Sequence, residues 1–162
     1  FLSTKSSAVL EFGSGMSTLW FLKHSGEVYS IENDPSWHKL LSLKLESIDN
    51  VKSKIEYKFE SDNIKYTNFK SDKHRNFDIL FVDGPWRAAC LRNHMHLVSI
   101  GGLIYLDNSD AESSSGYAGE VDEAVKLLLD FAALNDANVT WFTDFSPTCL
   151  FVTQGLMVRM PK

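Results

Sequence analysis

Two acids and two glycines near the start of the chain form the first arrangement that could do chemistry. Glu11 stands two residues before Gly13, and Gly15 follows, in the run Glu11-Phe-Gly-Ser-Gly-Met-Ser-Thr18. Paired glycines permit a tight turn and let a ligand lie close against the backbone. Glu32 comes nineteen residues after Gly13. A carboxylate at that distance, just past a second strand, can accept both ribose hydroxyls of a nucleoside. A second arrangement is made of oxygen donors: Asp83, and the adjacent Asp107 and Asn108. Two carboxylates and one amide carbonyl suit a hard divalent ion such as Mg²⁺, with water and substrate completing the octahedron. Acids in such places also work without metal, by touching substrate or holding a loop, so both readings stand. Arg87 follows Asp83 by four residues. It cannot act as a base at neutral pH, but it can pair with an anionic group of a substrate.

The elements that must position these residues alternate between strand and helix. Ala8–Phe12 reads as a strand, broken by Gly13 and Gly15. A helix is expected over residues 17–24, with Ser17 as its N-cap. Residues 27–31 form a second strand, and Asp34-Pro35 opens a second helix, where proline loses nothing by lacking an N–H. Residues 55–59 alternate with period two as a third, half-exposed strand, and residues 60–76 read as loop. Phe77–Val82 is a nearly continuous apolar run, as a strand covered on both faces requires. A helix over 88–98, a turn at Gly101-Gly102 and a strand over 103–106 follow. Val121, Ala124, Val125, Leu128 and Ala132 mark the apolar stripe of a helix over 118–134. Residues 139–145 and 149–153 are expected to close the fold as an antiparallel pair. Strands alternating with helices imply a mostly parallel sheet, whose ligands gather at the carboxyl ends of the strands. Every residue named above falls at such an end.

Composition narrows the function classes. The chain has 162 residues, 44% of them hydrophobic and 23% charged, the mix of one ordinary globular domain spanning residues 1–162. With 16 basic and 21 acidic residues the formal charge is −5. Binding to a phosphate backbone needs clustered positive charge, so no nucleic-acid partner is expected. No apolar run approaches the ~20 residues that cross a bilayer, so no membrane partner is expected either. Cys90 and Cys149 form no CxxC, which argues against a disulfide framework or a structural zinc and for a reducing, cytoplasmic compartment. The chain opens on Phe1 with strand-like sequence from Ala8, and a segment ahead of residue 1 is expected in the intact protein. Oligomeric state is not readable.

The glycine turn decides between nucleoside ligands. A dinucleotide fingerprint requires G-x-G-x-x-G, and its third glycine position holds Thr18. An acid two residues ahead of G-x-G resembles instead motif I of the class I S-adenosylmethionine-dependent methyltransferases. The resemblance extends to Tyr29-Ser-Ile-Glu32-Asn-Asp34, Phe77-Asp-Ile-Leu-Phe-Val-Asp83-Gly84 and Gly101-Gly-Leu-Ile-Tyr-Leu-Asp107-Asn108, in the family's order and spacing. It departs at Ser17, where many members carry glycine. The resemblance implies an α/β, Rossmann-like, mostly parallel seven-stranded sheet of order 3-2-1-4-5-7-6 with helices on both faces. It implies S-adenosylmethionine as cofactor, bound by Glu11, Gly13, Ser14, Gly15, Ser17, Thr18, Glu32, Asp62 and Asp83. Glu11 and the two glycines would hold the methionine end, Glu32 the ribose, and Asp62 the adenine amino group.

Asp83, Asp107 and Asn108 look like the metal ligands of the catechol and caffeoyl-coenzyme A O-methyltransferases, with Asp83 and Arg87 as catalytic candidates. The lysine that the catechol enzymes carry three residues after the first Asp is Trp86 here. The expected activity is methyl transfer to a small molecule, most readily to oxygen, with Mg²⁺ as an option. Two alternatives stand: a non-catalytic nucleoside-binding domain of a larger protein, and a nicotinamide-dependent oxidoreductase. His94 and His96, two apart on a helix, share no face and make a poor zinc pair. His24 and His38 read as structural, and His74 as a loop residue. Trp86, Tyr117 and Phe145 are candidates for a substrate wall. Glu32 reads as a loop residue whose loss spares the fold, and Gly13→Val as costing more in binding than in stability.

Overall fold

The computed structural model describes residues 7–71, 76–110, 118–145 and 152–162. Seven strands, β1 (Ala8–Phe12), β2 (Glu27–Glu32), β3 (Ile55–Phe59), β4 (Phe77–Val82), β5 (Val98–Leu106), β6 (Asn138–Phe145) and β7 (Val152–Arg159), form one sheet. Its order is β3-β2-β1-β4-β5-β7-β6. The first five strands pair in parallel, and β7 runs antiparallel to both β5 and β6. Among the described residues five α-helices connect them: α1 (Met16–His24), α2 (Pro35–Glu46), α3 (Asn63–Thr67), α4 (Arg87–His94) and α5 (Ala118–Leu134).

β1 is buried at all five positions, as a central strand between two helical layers must be. On one face Leu10, Phe12, Leu80, Val82, Ile104 and Leu156 pack against α4 and α5 through Leu91, Ala124 and Leu128. On the other, Val9, Val28 and Ile79 meet Phe21 and Leu22 of α1 and Leu41 and Leu45 of α2. Of the stripe expected on α5, Val121, Ala124, Leu128 and Ala132 are at most 1% exposed, and Val125 is half-buried beside them. Among the described residues no helix is long and apolar enough to cross a membrane.

Four boundaries differ from the sequence reading. Gly15, not Ser17, precedes α1, because Ser17 is drawn into the first turn by a bond beneath the helix. Residues 60–76 are not all loop: Asp62 caps the short α3 through Lys65 N–H at 2.9 Å. The helix expected over 88–98 ends at His94, and a 3-10 turn over Met95–Leu97 leads directly into β5. Gly101 and Gly102 therefore lie inside β5, opposite an irregular register between Phe77 and Ile79. The partner of β6 is residues 152–159, beyond most of the stretch expected. His74, Tyr117 and Cys149 lie outside the described residues.

Candidate active site

The ends of β1 and β4 are stitched together by backbone. Phe12 C=O accepts from Asp83 N–H and Gly84 N–H, both at 2.8 Å, and Gly13 N–H donates to Ile31 C=O at 3.0 Å. Gly13 has φ +88°, and a Cβ there would meet Gly84 N at 2.4 Å. Its glycine is demanded by the protein itself, before any ligand. A Cβ on Gly84 would meet Tyr66 Oη at 2.2 Å. Tyr66 is wholly buried below this seam, and its hydroxyl has no hydrogen-bond partner. Neither Gly84 nor Tyr66 was singled out from sequence, although Gly84 after Asp83 was the available signal. Gly15 differs: a Cβ there meets nothing closer than Ser17 Oγ at 3.8 Å.

Glu11 lies under this turn and is fully buried. Its Oε1 accepts from Ser17 Oγ at 2.6 Å. Its Oε2 accepts from Thr18 Oγ1 at 2.6 Å and Ser30 Oγ at 2.5 Å. Thr18 Oγ1 in turn accepts from Gly15 N–H at 2.9 Å. Glu11, expected against a ligand, therefore braces the turn from inside, and Ser17 and Thr18 are its partners. Hydrogen bonds favour the ionised form, but burial outweighs them and pushes Glu11 up to about 7.

A cleft of about 320 Å³ opens above the seam, lined by Gly13, Ser14, Glu32, Asn33, Asp83, Gly84, Pro85 and Arg87. It sits at the carboxyl ends of β1, β2 and β4, where such sheets bind ligands. Glu32 is buried on its wall and accepts from Ser14 and from the N–H groups of Asn33 and Asp34. Trp37 Nε1 donates to Ser14 C=O at 2.6 Å, tying the turn to α2.

The acids at the ends of β4 and β5 meet. Asp107 N–H donates to Val82 C=O at 3.0 Å, which brings the end of β5 beside that of β4. The carboxyls of Asp83 and Asp107 are within hydrogen-bonding reach. Burial first, then the negative charge of Asp107, pushes Asp83 up to about 7 against the pull of Arg87. Tyr105 Oη donates to Asp107 Oδ1 at 3.3 Å. Asn108, the residue after Asp107, holds a left-handed φ of +49°. Among the described residues no group of three or more His, Cys, Asp or Glu side chains is placed to hold a metal. A cation at this mouth would rest on two carboxylates with an amide, water and substrate.

No family model matches the chain, and no curated protein matches it. Solved structures do. The O-methyltransferase TomG from Streptomyces achromogenes, in complex with S-adenosylmethionine, superposes with a TM-score of 0.75 at 16% identity, over 98% of this chain and 74% of that one. The O-methyltransferase from Bacillus cereus, in complex with S-adenosylhomocysteine, gives 0.71 at 19% identity over 96% and 74%. An rRNA methylase from Streptococcus thermophilus gives 0.62 at 13% identity over 99% and 90%.

The chain has the Rossmann-like methyltransferase fold.

Within that methyltransferase fold the remaining residues take definite places. Arg87 Nη2 donates to Asp83 C=O at 3.3 Å and lies 3.7 Å from Asp83 Oδ1, while its buried Nε has no partner. Glu120 Oε1 accepts from Ala88 N–H at 2.8 Å, so α5 caps the start of α4. Sequence reading missed this pairing across thirty-two residues. Asp62 serves as the exposed cap of α3 and is not part of the cleft wall. Trp86 packs edge-on against Tyr66 rather than lining the cleft, and Phe145 is 66% exposed at the end of β6. His94 is buried away from the cleft, its two ring nitrogens facing Cys90 C=O at 3.0 Å and Phe69 C=O at 2.8 Å. His38 stacks on Tyr57.

Proposed function

We propose that this chain transfers a methyl group from S-adenosylmethionine to an oxygen of a small molecule, with Mg²⁺ held by Asp83, Asp107 and Asn108. The observation that carries the reading is the double place of Asp83. It lines the cleft shared by the glycine turn and Glu32, and it also touches Asp107. A nucleoside site and an oxygen-donor site therefore meet at one residue, as transfer between two ligands requires.

The donor set fits both groups. Glu32 on the cleft wall is the acceptor for a ribose hydroxyl once a protein donor gives way, and a Cβ at Gly15 would meet only Ser17 Oγ, at 3.8 Å. A carboxyl whose ionisation a neighbouring carboxylate opposes, as Asp107 opposes that of Asp83, is suited to a dication. S-adenosylmethionine supplies an electrophilic methyl group, and a divalent cation favours the ionised form of an acceptor hydroxyl. The chain's own contribution is alignment, since an in-line displacement needs the two reactants held in register. Glu32 and the Gly13–Gly15 backbone fix the nucleoside half, braced from below by Glu11. Asp83 and Asp107 orient the acceptor half, and Arg87 holds Asp83 in place.

Net charge supports a small acceptor: Glu32 and Asp83 outnumber Arg87 on the cleft wall, Asp107 stands beside Asp83, and the chain carries −5 overall. Such a surface repels a nucleic-acid backbone. The position of β7, antiparallel between β5 and β6, departs from the order 3-2-1-4-5-6 of dinucleotide-binding sheets and weighs against a nicotinamide ligand. Calorimetry with S-adenosylhomocysteine and with NAD tests the nucleoside half. A radiolabelled methyl-transfer assay on hydroxyl acceptors, with and without Mg²⁺, tests the rest. Binding of NAD in preference to S-adenosylhomocysteine would overturn the reading.

A further inference from the structure

Glu32 is saturated by the protein. Its Oε2 accepts from Ser14 N–H at 3.0 Å and from Ser14 Oγ at 2.9 Å. Its Oε1 accepts from Asn33 N–H at 2.9 Å and Asp34 N–H at 2.8 Å. A carboxylate offers about four acceptor positions, and all are taken. Ribose hydroxyls can bind there only as a protein donor leaves.

Three of the four donors are backbone N–H groups that cannot move alone. Ser14 N–H belongs to the turn pinned by Gly13 N–H on Ile31 C=O and by Trp37 Nε1 on Ser14 C=O. Asn33 and Asp34 belong to the link between β2 and α2, where the Asp34 side chain caps the helix through Trp37 N–H. Only Ser14 Oγ sits on a freely rotating bond. It also has a second partner waiting, because Tyr57 Oη is 3.0 Å away. Since Ser14 gives its proton to Glu32, Tyr57 donates to Ser14. The Tyr57 ring is itself held by stacking on His38, 4.5 Å between centroids.

We propose that the Ser14 hydroxyl is a built-in stand-in for a ribose hydroxyl on Glu32, and that Tyr57 keeps it hydrogen-bonded when a nucleoside displaces it. The proposal rests on the nucleoside reading of the cleft. On binding, a ribose hydroxyl donates to Glu32 Oε2 and Ser14 turns its proton onto the Tyr57 oxygen. Ser14 thereby keeps Glu32 correctly aimed in the free protein, and competes modestly with the ligand. Tyr57 lowers the cost of the exchange: Ser14 keeps one hydrogen bond, and the proton that Tyr57 had given it is released at this part-buried position.

Titration calorimetry on the full chain with S-adenosylhomocysteine and its 2′-deoxy and 3′-deoxy analogues tests this. Ser14→Ala removes the competitor and should tighten S-adenosylhomocysteine about threefold to tenfold. Tyr57→Phe strands Ser14 on Glu32 and should weaken it by a similar factor. The gain from Ser14→Ala should disappear for whichever analogue lacks the hydroxyl that replaces Ser14. A gain equal for all three ligands, or wild-type or weaker affinity in Ser14→Ala, would overturn the proposal while leaving the nucleoside reading intact. Failure of the wild-type chain to bind S-adenosylhomocysteine would overturn both.

Discussion

Gly13 and Gly84 pack backbone against backbone, so closely that a Cβ on Gly13 would lie 2.4 Å from Gly84 N. Gly13→Val should therefore damage the joint between β1 and β4, with a left-handed φ adding strain. Stability is expected to fall by about 3 kcal/mol or more, together with binding, contrary to the sequence reading that binding would suffer first. Gly15→Ala is the cleaner probe, because its Cβ meets only Ser17 Oγ, at an ordinary contact distance of 3.8 Å. Its melting temperature should stay near wild type while S-adenosylhomocysteine affinity drops about tenfold. Unchanged affinity would mean that the ligand does not lie against this turn.

Glu32→Ala should lower both quantities. It strips an acceptor from three backbone N–H groups and from Ser14, so the buried position costs the fold about 2–4 kcal/mol. Binding of S-adenosylhomocysteine should weaken by about 2–4 kcal/mol as well. Denaturant unfolding and calorimetry on the same preparation separate the two. Reading Glu32 as a loop residue that the fold could lose overlooked these four donors.

Glu11 makes stability depend on pH. Burial raises it from the ordinary 4.5 to about 7, so the folded chain holds this proton more tightly than the unfolded one. The stabilisation is complete below about pH 4.5 and is lost as pH rises through about 7. A shift of this size corresponds to about 3 kcal/mol. Glu11→Gln removes the slope, so the stability of wild type minus that of the variant should decline between pH 5 and pH 7.5 and then level off. Urea unfolding at a series of pH values measures it. A flat difference would show that the three hydroxyl donors outweigh burial.

Asp107→Ala should separate chemistry from cofactor binding. Asp107 pairs with Asp83 but is not on the wall of the nucleoside cleft. Methyl transfer should fall about a hundredfold or more, and S-adenosylhomocysteine affinity should hold. Wild-type activity should vanish with EDTA and return with Mg²⁺. Activity indifferent to EDTA would leave Asp83 and Asp107 to orient the acceptor without metal.

The local pattern of the chain determined the order of elements and the turn that follows β1. Periodicity and turn residues act over neighbouring positions, so β1, β2, β3, β4 and α5 were legible, as were Gly13, Gly15, Glu32, Asp83 and Asp107 as strand-end residues. The roles of those residues were settled only by partners distant in sequence. Glu11 is an exposed acid or a buried brace depending on Ser17, Thr18 and Ser30, and nothing within β1 reveals that Ser30 lies opposite. Gly13 is fixed by Gly84, seventy-one residues on. Asp62 was drawn toward a ligand by resemblance, yet its side chain found a nearer partner in Lys65 N–H. Burial, and the saturation of a carboxylate's acceptor positions, are properties of the packed molecule. They arise when the sheet brings β1, β2 and β4 into register, and no spacing in the sequence encodes them.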